Sequence, residues 1–388
     1  MFLSNLDRRV LATLKDAAVG RQKRDLRIAV LGNCQSFDVA YAMQLLNVRA
    51  TVHHYPIQTK AKITGNMLVR ALRTYDRVFL QDFGEGLVRG GSSDLLCGEL
   101  ANAIRYPSLL FGAYHPDAIF IHDRSRGDAF VSGPIGQHHS ALALFAYRAG
   151  FTPESALLLY QREVYQLLGY FDVWEPASTQ LLELTRSYGV KLDSDFIGWT
   201  RFARCFMYSI NHPKAYVLFD LARRLLDHAG ISWKPLDFDH YALNDLARDT
   251  IFPVYPEIAE RFGIAGSYIF KAPKPARGGL NIGTFFDLEA FVRESYCVYA
   301  RHDGEALTNE RVQGWLQDAE VRAFLNELGL QTRRLATGRQ GASSPELVPG
   351  RSRGIGDRAA YRREDAASGQ SANQLEIAAS DNPTVVAM

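Results

Sequence analysis

The chain has almost no net charge: 44 Lys and Arg stand against 42 Asp and Glu in 388 residues, a formal +2. That balance excludes a protein-wide basic field of the kind that holds a nucleic-acid backbone or an anionic membrane, so an anionic ligand must be gripped locally. No apolar run approaches the ~18 residues of a membrane-spanning helix. The first residues alternate apolar and charged positions and contain no stretch of signal-peptide length, so nothing is expected to direct secretion. Cysteine is scarce. Cys34, Cys97, Cys205 and Cys297 are far apart and form no CxxC, which argues against a zinc site or a disulfide framework and fits a reducing cytoplasm. Also absent are the GxGxxG fingerprint, the GxxxxGK[ST] phosphate loop and any solenoid-length repeat, so neither nicotinamide nor ATP chemistry is supported.

What is present is a globular composition, 47% hydrophobic and 22% charged, in a chain long enough for one large domain or two moderate ones. Residues 1–25 predict an amphipathic helix. Strands are expected at 26–31, 48–54 and 77–82, alternating with helical stretches such as 36–46, with further strand candidates at 109–111 and 118–121. This alternation predicts an α/β fold with a mainly parallel sheet and flanking helices over 26–135. A helix-rich region completing a cleft is expected over 136–336, with helices near 137–149, 153–169, 176–189, 196–208, 213–229, 243–249 and 285–299. Residues 337–388 are rich in Gly, Ser, Ala and Arg with scarce aliphatics, and are expected to be disordered.

The chemistry concentrates in Gly32-Asn33-Cys34-Gln35-Ser36, which succeeds the first strand and opens the first helix of the α/β region. Glycine permits a sharp turn, and a helix N-terminus beside Cys34 would favour its thiolate. Asn33 and Gln35 could donate amide hydrogens to a developing oxyanion. Spacing alone fits equally well a Cys34 that packs the turn and an Asn33 that caps the helix. His212, in Asn211-His212-Pro213-Lys214, and His115, in Tyr114-His115-Pro116-Asp117, sit where proline holds the preceding residue extended. Each is a candidate general base or a surface histidine. The Tyr114–Asp117 loop is expected at a sheet edge, with Asp117 orienting an imidazole or capping the next segment of chain. His138 and His139 read as the start of a helix, and adjacent histidines do not readily share a metal. Asp237-Phe238-Asp239-His240 has Asp-x-x-His spacing. Lys271, Lys274 and Arg277 beside Gly278-Gly279 could grip phosphates or form a solvated connector, and Arg124 and Arg126 have similar standing.

The ordered series IAVLGNCQS, YPSLLFGAYHPDAIFI, GPIGQHHSALALFAYRAG and YSINHPKAYVLFDLA resembles capsular polysaccharide biosynthesis enzymes of the WcbI type over roughly residues 26–300. Gly32-Asn33-Cys34 and Asp237 to His240 are also similar to the Gly-Asp-Ser and Asp-x-x-His blocks of SGNH-type esterases. The WcbI resemblance implies a cytoplasmic enzyme that binds coenzyme A or acetyl-CoA and O-acetylates a hydroxyl of a polysaccharide or nucleotide-sugar acceptor. It implies a coenzyme A site drawn from Gly32, Asn33, Cys34, Gln35, Ser36, Tyr114, His115, Asn211, Lys271, Lys274 and Arg277. Catalysis would use His212 or His115 as base, Asn33 and Gln35 at the oxyanion, and Cys34 as acyl carrier or bystander. Two rivals remain: an esterase or deacetylase using the same turn, and a non-catalytic coenzyme A-binding subunit whose partners are capsule assembly proteins.

Overall fold

A computed structural model describes residues 4–18, 26–57, 61–201, 204–273 and 282–328. At its centre is a four-stranded sheet, all parallel, in the order β2-β1-β3-β4, with β1 at Arg27–Gly32, β2 at Thr51–Pro56, β3 at Arg77–Gln81 and β4 at Ala103–Tyr106. Ile28, Ala29, Val30 and Leu31 are wholly buried, because β1 is covered on both faces. Ala29, Leu31, Val78 and Leu80 face a smaller core shared with α1 (Asn5–Ala18) and α3 (Gly65–Leu72). Ile28, Val30 and Phe79 face a larger core with α2 (Gln35–Leu46), and that core runs on through the helix-rich region as far as Leu325. The sheet is thus one layer of a single packed body.

The helix Ala215–His228 packs directly on α2 and buries Val217, Leu218, Leu221, Leu225 and Leu226. Each buried leucine contributes roughly 1.5–3 kcal/mol, so this contact strongly couples the sheet layer to the helices. Among the described residues no helix is long and apolar enough to cross a membrane.

The α/β reading holds, with a helical region after the sheet, but several elements differ in detail. Residues 109–111 form no strand, because their N–H groups are bonded elsewhere: Leu109 N–H to the Gln35 side chain and Phe111 N–H to Ile210 O. The fourth strand is instead Ala103–Tyr106, four residues long and only partly buried before Tyr106, too short for a pattern to announce. Residues 137–140 are not helical. His139–Ser140 pairs antiparallel with Ala118–Ile119, and Ser140 Oγ accepts from Ala143 N to cap the helix that begins at Ala141. The 153–169 stretch is helical but broken, into Pro153–Ala156, a 3-10 turn at Leu157–Leu159 and Arg162–Leu167; the 196–208 stretch is a helix over Asp193–Arg201 and then the strand Met207–Ser209, and 243–249 is a single 3-10 turn. The expected disordered segment 337–388 lies outside the described residues.

The order 2-1-3-4 has its switch point at β1, where one connection leaves toward β2 and the next crosses to β3. Open α/β sheets bind ligands at the carboxyl ends of such strands. Gly32 ends β1 at that point. A Cβ added there would lie 2.4 Å from Gln81 Oε1 and 2.6 Å from Gln81 Cβ, so no larger residue fits without moving β3. Gly32→Val is therefore expected to destabilise the fold by about 1–3 kcal/mol, read as a lower urea midpoint with an unchanged slope.

Candidate functional site

The exit from β1 is held by side-chain amides in addition to the backbone bond from Ile57 N to Gly32 O. Asn33 N–H donates to Gln81 Oε1 at 2.9 Å, tying the turn to the end of β3. Asn33 Oδ1 accepts from Gln35 N at 3.0 Å, Asn33 O accepts from Ser36 N, and Asn33 Nδ2 donates to Ser108 Oγ at 2.9 Å. Cys34 comes next with helical dihedrals (φ −56°, ψ −30°), half-buried at the N-terminus of α2 and packed on the larger core.

Gln35 is buried and saturated. Its Nε2 donates to Leu109 O and Asn211 O, each at 2.9 Å, and its Oε1 accepts from Leu109 N at 3.0 Å and from Gln81 Nε2 at 3.4 Å. Both amide hydrogens are engaged with backbone carbonyls, which leaves none for an oxyanion. Its service is to clamp the Cys34 turn to the hairpin Met207–Ser209/His212–Pro213. Ser36 Oγ donates its single proton to Asn33 O at 2.6 Å, so toward His54 Nε2, 2.8 Å away, it can only accept. The pair is thus no serine nucleophile with its base.

The Asn211 side chain extends the clamp. Its Oδ1 accepts from His138 Nε2 at 2.8 Å and from Ser209 Oγ at 3.0 Å. The His138 and His212 rings lie 5.6 Å apart, edge to face. His212 Nδ1 donates to Thr250 O and His115 Nδ1 to Pro253 O, each at 3.4 Å. Donation through Nδ1 makes Nε2 the lone-pair nitrogen of both rings. His115 Nε2 is buried with no partner at all. Burial, with repulsion from His212 and the neighbouring imidazoles, pushes His138 down to about 3. Burial likewise takes His115 down to about 4 and lowers His212, which Asp249 and the Thr250 carbonyl oppose. The site is a buried group of neutral imidazoles beside a helix N-terminus.

Other candidate residues lie elsewhere or are already engaged. Tyr114 is 2% exposed and within 5.6 Å of the rings of Phe111, Trp174, Phe206 and Phe262, a core residue rather than a ligand contact. The 114–117 loop is interior, not at a sheet edge. Asp117 accepts from Tyr170 OH (2.7 Å), Tyr255 OH (2.6 Å) and Leu142 N (3.0 Å), so it caps the helix Ala141–Arg148 and does not orient His115. Asp237 and His240 are 3.7 Å apart on an exposed turn, with side chains 65% and 73% accessible. Arg126 pairs with Asp123, and Arg124 is exposed. Lys271 points inward: its Nζ donates to Ala247 O at 2.8 Å and Asp249 O at 2.9 Å, so it holds protein carbonyls where a phosphate grip was expected. Lys274 and Arg277 lie outside the described residues. Among the described residues no group of three or more His, Cys, Asp or Glu could hold a metal ion.

Residues 27–234, more than half of the chain, match the family model described as polysaccharide biosynthesis enzyme WcbI. The chain belongs to the WcbI family. No curated protein and no solved structure matches it. The WcbI match contains the Cys34 turn, His115, His138 and the Asn211–His212 hairpin, so a polysaccharide-related substrate is implied for the enzyme that this core builds. The carbonyls that fix the two Nδ1 atoms, from Thr250 and Pro253, come from beyond the matched WcbI segment.

Sequence reasoning passed over His138 and the 247–253 segment. His138 precedes His139 in an extended stretch, so the two side chains point opposite ways. His139 turns to Val131 O and Tyr299 OH, whereas His138 turns to Asn211. Only the Gly133-Pro-Ile-Gly136 turn before the pair signalled that the chain was not yet helical.

Four histidines, the half-buried His54 and the buried His115, His138 and His139, fall to between about 3 and about 4. The unfolded chain therefore takes up protons below pH ~6.5 that the folded chain refuses. Their contribution is present in full above that pH and is lost toward pH ~4, at up to about 2 kcal/mol per histidine by pH ~5. Asp38, Asp117 and Asp220, all raised by burial, act in the opposite sense and are outnumbered. Thermal melts between pH ~7.5 and ~4.5 should show a steep loss, and His138→Gln should flatten the curve.

Proposed function

We propose that this enzyme transfers an acetyl group from acetyl-CoA to a sugar hydroxyl during capsular polysaccharide biosynthesis, in the cytoplasm before export. The supporting observation is the Gln35 carboxamide, which joins the Cys34 turn to Asn211 and His212 in one buried network. Acetyl-CoA supplies an activated acyl carbonyl and a thiolate leaving group. The chain supplies the rest.

A neutral imidazole with its Nε2 lone pair available, His212 or His115, takes the proton of the attacking hydroxyl. The N-terminal dipole of α2 favours negative charge in the same region, and the second hydrogen of Asn33 Nδ2 is the amide donor left for it, because the N–H groups of Asn33, Gln35 and Ser36 and the Gln35 side-chain amide are engaged within the turn. Exclusion of water around imidazoles that are themselves buried limits hydrolysis as a competing reaction. The pyrophosphate would need cations other than Lys271, whose ammonium is occupied.

Cys34 permits two routes through one site. It either accepts the acetyl group first, with ping-pong kinetics, or packs the turn while the sugar attacks directly. Coenzyme A at 100 times its dissociation constant should stabilise the protein by about 2.7 kcal/mol in a thermal-shift titration. His212→Gln should cut transfer by roughly 10²–10⁴-fold if His212 is the base, with the coenzyme A shift retained. Near-normal transfer by Cys34→Ala would remove the covalent route alone. No shift at millimolar coenzyme A, together with ester cleavage in its absence, would replace the transferase reading with a hydrolase.

A further inference from the structure

Asp38 takes no part in the hydrogen-bond network above. It lies in the first turn of α2, 4% exposed, and neither carboxylate oxygen has a hydrogen-bond partner. Other buried acids here are well supplied: Asp117 holds two tyrosines and an amide, Asp195 two arginines, and Asp123 His302 and Ser125. Among the described residues Asp38 is the one buried carboxylate orphaned at both oxygens. Burial pushes it up to about 7, Asp245 adds to the rise, and the nearby Leu246 N–H opposes it without closing a hydrogen bond. An orphan of this kind costs free energy that a bound ligand donating to the carboxylate would recover.

Its neighbours belong to the site. Cys34 has helical dihedrals, so Cys34 and Asp38 stand i, i+4 on one face of α2, with Cβ atoms about 5–6 Å apart. Tyr208, in the strand that leads to Asn211 and His212, feels the Asp38 charge. Beyond Asp38 the same helix turns Phe37 outward, 37% exposed, and Tyr41 OH donates to Tyr241 O at 2.7 Å, beside a Tyr241 that is 51% exposed. Phe37 also packs edge to face on His54, and Tyr241 on His240, which leaves part of each ring exposed. A carboxylate on a helix that also carries exposed aromatic surface suits a polyol: hydroxyls donate short, charge-assisted hydrogen bonds to the carboxylate, and apolar C–H faces lie on the rings.

We propose that Asp38 binds the acceptor sugar, receiving hydrogen bonds from its hydroxyls while the Phe37, Tyr41 and Tyr241 surface supports its apolar face. The identity of the sugar as acyl acceptor rests on the transferase reading; the binding site itself does not. Entry requires displacement of the 3-10 turn Asp245–Arg248, which buries Leu246 and is held by Lys271 Nζ through Ala247 O, so the sugar must displace that packing as it binds.

The test is saturation-transfer NMR on the full chain with methyl glycosides of glucose, mannose and galactose at tens of millimolar, for wild type, Asp38→Leu and Asp38→Asn. Wild type should give saturation transfer from at least one glycoside, and Asp38→Leu should lose it at least tenfold. Ligand-free Asp38→Leu should melt a few degrees higher than wild type, because an unpaired buried carboxylate has gone; a merely structural Asp38 would give a lower melting temperature. Should Asp38→Leu fail to fold, the near-isosteric Asp38→Asn decides by the same signal. Wild-type saturation transfer in either folded variant, or none in wild type, overturns the proposal. If glycoside binding depends on Asp38 while coenzyme A leaves the melting temperature unchanged, the transferase reading falls and the sugar site stands.

Discussion

The Gln35 carboxamide is the constraint on which the rest of the site depends. A parallel sheet ends in unpaired backbone groups, and at a switch point two connections diverge, so the chain needs something other than ladder hydrogen bonds to close the gap. Gln35 and Gln81 do this with side-chain amides that bond to one another, to Asn33, to Leu109 and to Asn211. Each bond contributes a modest net amount, about 1 kcal/mol, but each buried backbone group left bare would cost about 1–3 kcal/mol. The clamp is therefore nearly all-or-none, and it fixes the Cys34 turn and the His212 hairpin together.

Around that clamp the protein accepts an acid-labile arrangement. Four histidines are held neutral by desolvation, and the 247–253 segment supplies the carbonyls that orient two of the three site imidazoles. Lys271 braces the segment from its own strand: its backbone pairs with Ile251 in both directions and its ammonium holds Ala247 O and Asp249 O. Orientation of the imidazoles is thus supplied by chain beyond the family match, while the imidazoles themselves lie within it.

Much of the scaffold was legible in the residues. Ile28 to Leu31 form an unbroken apolar run because β1 is buried on both faces, and Gly32 marks its end because Gln81 leaves no room for a side chain. GNCQ and NHPK could be picked out as short polar motifs at element boundaries. Their union could not, because Gln35 and Asn211 are 176 residues apart and nothing local encodes that contact. Residues 109–111 read as a strand by composition, yet a single distant amide captured the backbone of Leu109. Lys271 read as a solvent-facing cation because it opens a Pro/Gly-rich basic stretch, whereas the adjacent strand pairing carries it inward. Asp38 was silent for the opposite reason: an acid in the first turn of a helix is so ordinary that only its missing partners make it conspicuous.

Satisfaction of hydrogen bonds separates the roles of these polar groups better than residue type does. Gln35 and Asp117 are chemically versatile, but their bonds are closed within the protein, and a saturated buried group has nothing to offer a substrate. His115 Nε2 and both Asp38 oxygens are equally buried and open. A fold that supplies seven amide contacts around Gln35 and Asn33 does not lack the means to close two more groups nearby, and selection for stability alone would close them or replace Asp38 with an apolar residue. Asp38 stands within one turn of Cys34 and acts on Tyr208, and His115 acts on His138, so the open groups lie where the network stops rather than where its hydrogen bonds are densest.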